Sequence, residues 1–446
     1  MQGERKTSDV QAECNLCPSP IVRGDMERTD LLVVGGGLAG LVAAALAARA
    51  GVGVRLAEAA GELGGRARTR SFDGFSVNLG AHALFQAGAA RRAFDDLGIR
   101  VTGGRPPASG IALLAGRLHA VPGGPISLLT TSLLDAAGKL ELSRFMSWLR
   151  RAPTDTLAGR ALGDVLGERL KRPVVRALVN ALVHCTTYEA DVDALCAAAG
   201  LAQMRSAIEH GVLYVDGGWT SLVDGLVEVA RAHGARLDVG ARITSIERRK
   251  TPALPFQVHL EGRMIEAGAV IVATPPGAAA RLFPPLAHPA SACTPLRAAC
   301  LDVALASVPK PRRRFALGLD SPHYYSLHSA SARLADPGAG VAHLLQYGPA
   351  MATTEAELVA LLERMQPDAR IADLRYLPSM VVANARVTAA TGGLRGRPAV
   401  DAEPGVWLAG DWVGDEGMLA DAACASAAAA AERAVEFLSA ATRRVA

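Results

Sequence analysis

Apolar residues along this chain come in two rhythms. Leu31-Leu32-Val33-Val34 and Val52-Gly53-Val54-Arg55-Leu56-Ala57 are short, nearly unbroken apolar runs, the pattern of parallel strands covered on both faces. The stretch between them, Leu38 to about Ala50, is longer and alanine-rich, and predicts a helix packed on that sheet. Phe72-Asp73-Gly74-Phe75 predicts a turn into a strand that ends at Gly80-Ala81-His82. An amphipathic segment follows Leu222, Cys300 to Leu305 reads as a further strand, and a basic turn from Lys310 to Arg314 enters another. Gly405 to Ala409 is again a short apolar strand, and an alanine-rich helix opens after Gly417.

Strand, helix and strand in this order imply an α/β fold. Residues 30–104, 214–293 and 401–446 are expected to build one Rossmann-like layer. Residues 105–213, mainly helical, and 294–400, opening with strands, are expected to form an inserted α+β substrate domain, with residues 1–29 as a flexible tail. Half of the 446 residues are apolar, enough for two cores and too many for disorder. The net charge is only +4 and no basic run is interleaved with aromatics, so nucleic acid is not an expected partner. Cys14 and Cys17 have C-x-x-C spacing without a second pair, so no metal site is expected. The remaining cysteines, Cys185, Cys196, Cys293, Cys300 and Cys424, are scattered in apolar contexts, as buried thiols of a reducing, cytoplasmic compartment would be. No uninterrupted apolar run reaches the roughly 18 residues of a membrane span. The apolar positions from Ile126 to Leu149, with Arg144 among them and Arg150 and Arg151 directly after, suit either core helices or a surface resting peripherally on lipid.

Glycines at 35, 37 and 40 follow the first strand with G-x-G-x-x-G spacing, which permits a tight turn, close approach of a pyrophosphate and close packing of the next helix. The free amides of that helix, from Leu38 and Ala39 onward, face the same anion. Glu58 closes the second strand, where its carboxylate can accept from ribose hydroxyls. Gly64, Gly65 and Arg66 follow directly, adding backbone amides and a fork of donors that suit a long diphosphate with a further group attached. Gly80 is expected to mark close approach to a planar ring. Near the C-terminus, Gly410 turns the chain and Asp411 sits at a strand end, where open parallel sheets bind ligands. The helix beyond Gly417 has a terminus free to face an anionic group, beginning near Met418 and Leu419. Asp421, just inside it, is open between a cap, a surface acid and a substrate contact.

From residue 30 onward the chain resembles the flavin amine oxidase superfamily, in particular its phytoene-desaturase-like and protoporphyrinogen-oxidase-like branch. The residues that carry the resemblance are the glycine turn with Leu63-Gly64-Gly65-Arg66, Tyr214 to Leu222 with Arg242 to Ile246, and Val406 to Trp412 with Gly417-Met418-Leu419. The resemblance implies FAD as cofactor, Ile243 beside the adenine, Asp411 on the ribityl-phosphate side, and amides at the start of the last helix meeting the flavin pyrimidine carbonyls. The chain departs from the family around Leu419-Ala420-Asp421-Ala422, where small-residue pairs are usual.

Flavin chemistry asks the protein to position and tune rather than to supply a nucleophile, and no catalytic residue is assigned. Polar contacts could come from His82, His184, Tyr188, Tyr324, Tyr325, His328, His343 and Tyr347, with at most one of Tyr324 and Tyr325 pointing into a given pocket. The favoured reaction is removal of hydride from a large hydrophobic, isoprenoid-like small molecule, with oxygen, a quinone or another acceptor taking the electrons. The alternatives are a protoporphyrinogen-oxidase-like enzyme, using Arg117, Arg144 or Arg312 to Arg314 for substrate carboxylates, a flavin amine oxidase, and a noncatalytic FAD-binding protein.

Overall fold

The computed structural model describes residues 27–107, 109–249, 254–348 and 354–445. Cys14, Cys17 and the expected tail up to residue 26 lie outside the described residues. The first strand is Glu27–Val34, so it starts inside the segment expected to be tail. Its polar opening is held by charge, because Glu27 forms ion pairs with Arg55, Arg236 and Arg263. A hydrophobic pattern does not register such an extension.

Glu27–Val34 pairs in parallel with Val54–Ala57 on one side and with Arg263–Val272 on the other, and Arg236–Asp238 continues the sheet beyond Val54–Ala57. The end of Arg263–Val272 also pairs in parallel with Val406–Leu408, while its beginning joins Phe256–Leu260 and then Ile243–Arg248 in antiparallel fashion. Leu31, Leu32 and Val33 are fully buried, as covered parallel strands require. Each such side chain contributes about 1.5–3 kcal/mol of burial. The helix Leu38–Arg49 packs against Thr220–Ala232 and the C-terminal helix Leu419–Val445. Its alanines at 43, 44, 45 and 47 are fully buried, and their small side chains let the three helices approach closely.

A second sheet runs in the order Ile371–Ala383, Leu296–Leu305, Gly340–Tyr347, His323–Leu327, Phe315–Gly318, Gly110–Leu114, Arg117–Val121. The last two strands are a hairpin from the segment expected to be mainly helical, and the hairpin joins through parallel pairing of Gly110–Leu114 with Phe315–Gly318. The helices Ala136–Leu149, Leu162–Arg169, Pro173–Thr187 and Ala197–Glu209 pack on one another around a separate apolar cluster. Among the described residues no helix is long and apolar enough to cross a membrane.

Candidate active site

A cavity of about 910 Å³ opens along the C-terminal ends of the parallel strands and runs to the second sheet. Its first wall is the glycine turn. Gly35 has φ +108°, and a Cβ there would lie 2.6 Å from the Ala273 carbonyl oxygen. A Cβ on Gly40 would lie 1.9 Å from the Gly35 carbonyl oxygen, so Gly40 lets the helix sit on the turn and does not itself line the cavity. Gly37 is the N-cap of Leu38–Arg49, no side chain caps it, and nothing lies within 4 Å of where its Cβ would be. Two glycines therefore serve packing, and the third leaves open space before free helix amides, with Leu38 and Ala39 on the wall.

Glu58 is anchored by two backbone amides: Gly36 N donates to its Oε2 at 2.6 Å and Ala60 N to its Oε1 at 2.7 Å. Gly36, which the sequence spacing did not single out, is needed here because a Cβ would meet Leu63 at 2.5 Å and Glu58 at 2.9 Å. Gly64 and Gly65 adopt φ +102° and +54°, and Gly64 N donates to the Gly36 carbonyl at 2.7 Å, which docks the second glycine loop onto the first. Glu58, Gly64 and Gly65 line the cavity, and Gly36 stands behind them.

Arg66 and Asp411, expected at separate points along the cofactor, meet each other. Arg66 Nη1 lies 2.8 Å from Asp411 Oδ2 and also donates to the Val382 carbonyl at 2.9 Å. Asp411 is buried, and its carboxylate accepts from Asn384 through the backbone N at 3.2 Å and Nδ2 at 2.8 Å. Gly410 and Ile243 also line the wall. Gly410 is pinned by Ser426, whose Oγ accepts from the Gly410 amide at 2.9 Å and donates to its carbonyl at 3.0 Å.

Two other residues lie elsewhere than expected. Gly80 does not line the cavity: a Cβ there would strike Met380 Sδ at 2.6 Å, and its amide donates to the buried Asp302 carboxylate at 3.1 Å. Its glycine requirement comes from that packing and from φ +87°, while the cavity wall is made by its neighbours Leu79 and Ala81. Met418 is buried in the helical cluster and only Leu419, at φ +56°, reaches the wall. Asp421 is a cap, although of a different helix: its Oδ1 accepts from Ala90 N at 2.9 Å, at the start of Ala89–Asp96.

The end of the cavity formed by the second sheet and the helices is lined by Pro106, Pro107, Cys185, Thr186, Tyr188, Tyr214, Phe315, Tyr324, His328 and Met380. None of these carries a charge in its ordinary state. Burial lowers His82 to about 4 and holds His328 well below the usual imidazole range, so both rings are neutral at pH 7. Burial also raises Tyr214 to about 12 and Cys185 to about 12, and keeps Tyr188 and Tyr324 protonated. Tyr325, next to Tyr324, faces the opposite side of its strand and accepts from Gln366 Nε2 at 2.9 Å. His184, His343 and Tyr347 stand outside the wall. So do Arg117, Arg144 and Arg312 to Arg314, the expected carboxylate partners. Phe315 and Tyr214 are wall residues that the reading of candidate contacts passed over; Phe315 follows a basic turn, and only the pairing of the second sheet turns it inward.

Cys300, Asp302 and His343 bring three metal-type ligand atoms together. Their facing atoms bond one another, since His343 Nδ1 and Cys300 Sγ both donate to Asp302 Oδ1, at 2.7 and 3.2 Å, and Arg375 Nη2 holds Oδ2 at 2.6 Å.

The family model of flavin-containing amine oxidoreductases matches residues 38–435. The chain belongs to the flavin-containing amine oxidoreductase family. It is an FAD-dependent oxidoreductase. The residues fit that cofactor, with open space at Gly37 before uncapped amides, an anchored carboxylate at Glu58 and the Arg66–Asp411 pair further along the same cavity. The fold is shared with an oxidoreductase from Methanosarcina mazei (17% identity, 90% of this chain and 100% of that one, TM-score 0.70). It is also shared with putrescine oxidase bound to putrescine (14%, 92% and 100%, 0.72) and a protoporphyrinogen oxidase-like protein from Exiguobacterium (19%, 92% and 99%, 0.68). In sequence, an uncharacterized protein of Mycobacterium tuberculosis strain H37Rv is 44% identical over 81 residues, a match that spans 18% of this chain and 15% of that protein.

Proposed function

We propose that this flavoenzyme removes a hydride and a proton from a large, neutral, apolar substrate of isoprenoid-like character. The observation that carries the reading is the uncharged lining of the cavity end away from the glycine turn. An alkylammonium would need a carboxylate, and the two carboxylates on the wall are Glu58, bound to backbone amides, and Asp411, bound to Arg66 and Asn384. A tetrapyrrole carrying carboxylates would need cations, and the arginines on the wall, Arg66, Arg68, Arg242 and Arg281, belong to the segments around the cofactor. Burying an unpaired charge against Phe315, Met380 and the tyrosines would cost several kcal/mol.

FAD, when bound, supplies the two-electron acceptor, with oxygen, a quinone or another acceptor taking the electrons afterwards. Gly37 and the amides at Leu38 and Ala39 would hold its diphosphate, Glu58 its ribose, and Ile243 would pack by the adenine. Tyr188, Tyr214, Tyr324 and Phe315 provide flat apolar faces that orient a carbon chain and exclude water.

Delivery from a membrane is part of the proposal. Ile126 and Leu129 are 80% and 74% exposed, and the following helix adds the exposed Leu140 with Arg144 and Arg150. Such a tip suits shallow, reversible contact with anionic lipid. Ile126→Ser/Leu129→Ser should reduce co-sedimentation with phosphatidylserine vesicles, and unchanged binding would remove this part.

The substrate class is tested by difference spectra of the oxidised, FAD-loaded protein titrated with phytoene, benzylamine and coproporphyrin. Neutral recognition predicts perturbation of the flavin band by phytoene with an affinity independent of salt. Salt-sensitive binding of either charged compound, with phytoene silent, would overturn it.

A further inference from the structure

Behind Tyr324 lies a row of polar groups that binding and positioning do not explain. Tyr324 is on the cavity wall, and its Oη lies 3.5 Å from His328 Nε2. His328 is buried, stacked on Tyr214 with ring centroids 3.7 Å apart, and its Nδ1 has no hydrogen-bond partner. His343 packs edge to face against it at 4.6 Å, and His343 Nε2 is likewise without a partner. On its far side His343 Nδ1 meets Asp302 Oδ1 at 2.7 Å. Asp302 is fully buried and held ionised: burial opposes its charge, but His343 and Arg375 overcome that and keep it below its usual range.

These contacts narrow the arrangements of protons. A carboxylate only accepts, so His343 carries a proton on Nδ1, and as a neutral ring it would leave a lone pair on Nε2. Tyr324 Oη lies between His328 Nε2 at 3.5 Å and Tyr214 Oη at 3.3 Å; with its proton directed to His328 Nε2, His328 carries its own on Nδ1. The two orphaned atoms are then one buried donor and one buried acceptor on rings in contact. Buried polar atoms without partners are uncommon and costly, and a complementary pair on two rings in contact points to a link that closes during turnover.

We propose that Tyr324, His328, His343 and Asp302 form the proton-accepting relay of this enzyme. The inference rests on the dehydrogenation proposed above, in which a carbon–carbon single bond becomes a double bond. One substrate C–H bond breaks with its electron pair going to FAD, and the adjacent C–H bond breaks with its pair forming the new π bond. The second hydrogen leaves as a proton to Tyr324 Oη as the tyrosine's own proton passes to His328 Nε2. The imidazolium so formed donates Nδ1–H to His343 Nε2, and Asp302, still ionised, stabilises the charge through His343 Nδ1. Tyr324 is the catalytic residue and His328 its proton acceptor; His343 and Asp302 are positioning residues. His82 also lines the cavity, but its Nδ1 is held by the Gly80 carbonyl at 2.9 Å and Arg66 opposes a charge on it.

The test is anaerobic stopped-flow reduction of the FAD-loaded protein by phytoene, in H2O and D2O, for the parent, Tyr324→Phe, His328→Gln and His343→Gln. The relay predicts full FAD content in every variant and a loss of about 100-fold or more in reduction rate for Tyr324→Phe and His328→Gln. It also predicts a solvent deuterium effect in the parent that Tyr324→Phe abolishes, and a displaced acid limb of the pH–rate profile in His343→Gln. Parent-like rates in Tyr324→Phe and His328→Gln would overturn it. If protoporphyrinogen or benzylamine reduces the parent and phytoene does not, the substrate reading fails while the same variants, run with that compound, still decide the relay. If none of the three reduces it, spectra of [15N]histidine-labelled protein decide: protons on Nδ1 of both His328 and His343 support the relay, and a proton on His343 Nε2 overturns it.

Discussion

Asp421 offers a test in which the structure supplies both sign and size. Its carboxylate caps Ala89–Asp96 by accepting from Ala90 N, and the N-cap of that helix, Gly88, has no side chain to do so. The fit is close, since a Cβ on Gly88 would lie 2.1 Å from Asp421 Oδ1. Burial raises Asp421 from 3.8 to about 6, against the opposing pull of the Ala90 amide. Between those values the folded state keeps a proton that the unfolded chain has released, so stability is lost as pH rises through the window. The gap from 3.8 to about 6, at 1.36 kcal/mol per pH unit, makes the ionised form cost about 3 kcal/mol above pH 7. Asp421→Asn keeps an acceptor for Ala90 and removes the charge. With an unfolding entropy of about 2.1 cal/mol/K per residue, 446 residues give roughly 0.9 kcal/mol/K, so Tm should rise by about 3 °C at pH 8. At pH 4 the two proteins should melt together. Calorimetry of FAD-saturated protein at both pH values checks this, and an Asn variant that loses stability at pH 8, or gains equally at both, would refute the reasoning.

The glycine turn separates binding from packing: Gly37→Ala should leave the apoprotein's Tm unchanged but lower FAD affinity, whereas Gly40→Ala should cost several degrees, read by thermal melts and FAD titration. Glu58→Ala should weaken FAD retention through dialysis by about tenfold or more, because the anchored carboxylate is lost; full retention would reject the ribose contact. Asp411→Ala should change the flavin spectrum or occupancy by freeing Arg66, which absorbance after gel filtration will show. His82 and His184, each lowered to about 4 by burial, are neutral when folded and take up protons on unfolding below pH 6.5, so stability should fall steadily from pH 6.5 to 4; His82→Gln should flatten that slope in denaturant titrations.

What the sequence disclosed follows locality. The turn at Gly35, Gly37 and Gly40 and the carboxylate at Glu58 are legible because a strand, a tight turn and a helix constrain one another over a short span. The Arg66–Asp411 pair joins opposite ends of the chain, and nothing near either residue announces the other. Gly80 had the right signature, a backbone that tolerates no side chain, but the neighbour demanding it is Met380 rather than a ring. Asp302 and His343 sit directly opposite in an antiparallel pair, a contact set by sheet register that no motif encodes. The hairpin Gly110–Leu114 and Arg117–Val121 escaped notice because its strands are short and its partner strand lies some two hundred residues on.

The measurement that bears most directly on the whole account is anaerobic bleaching of the purified protein's flavin by phytoene, protoporphyrinogen and benzylamine, after bound FAD has been quantified. Stoichiometric FAD with rapid bleaching by the polyisoprenoid alone is the predicted result. Bleaching by the amine or the tetrapyrrole instead would contradict the neutral-substrate assignment, full FAD without bleaching by any of them would favour a noncatalytic flavoprotein, and absence of FAD would contradict the reading of the cavity itself.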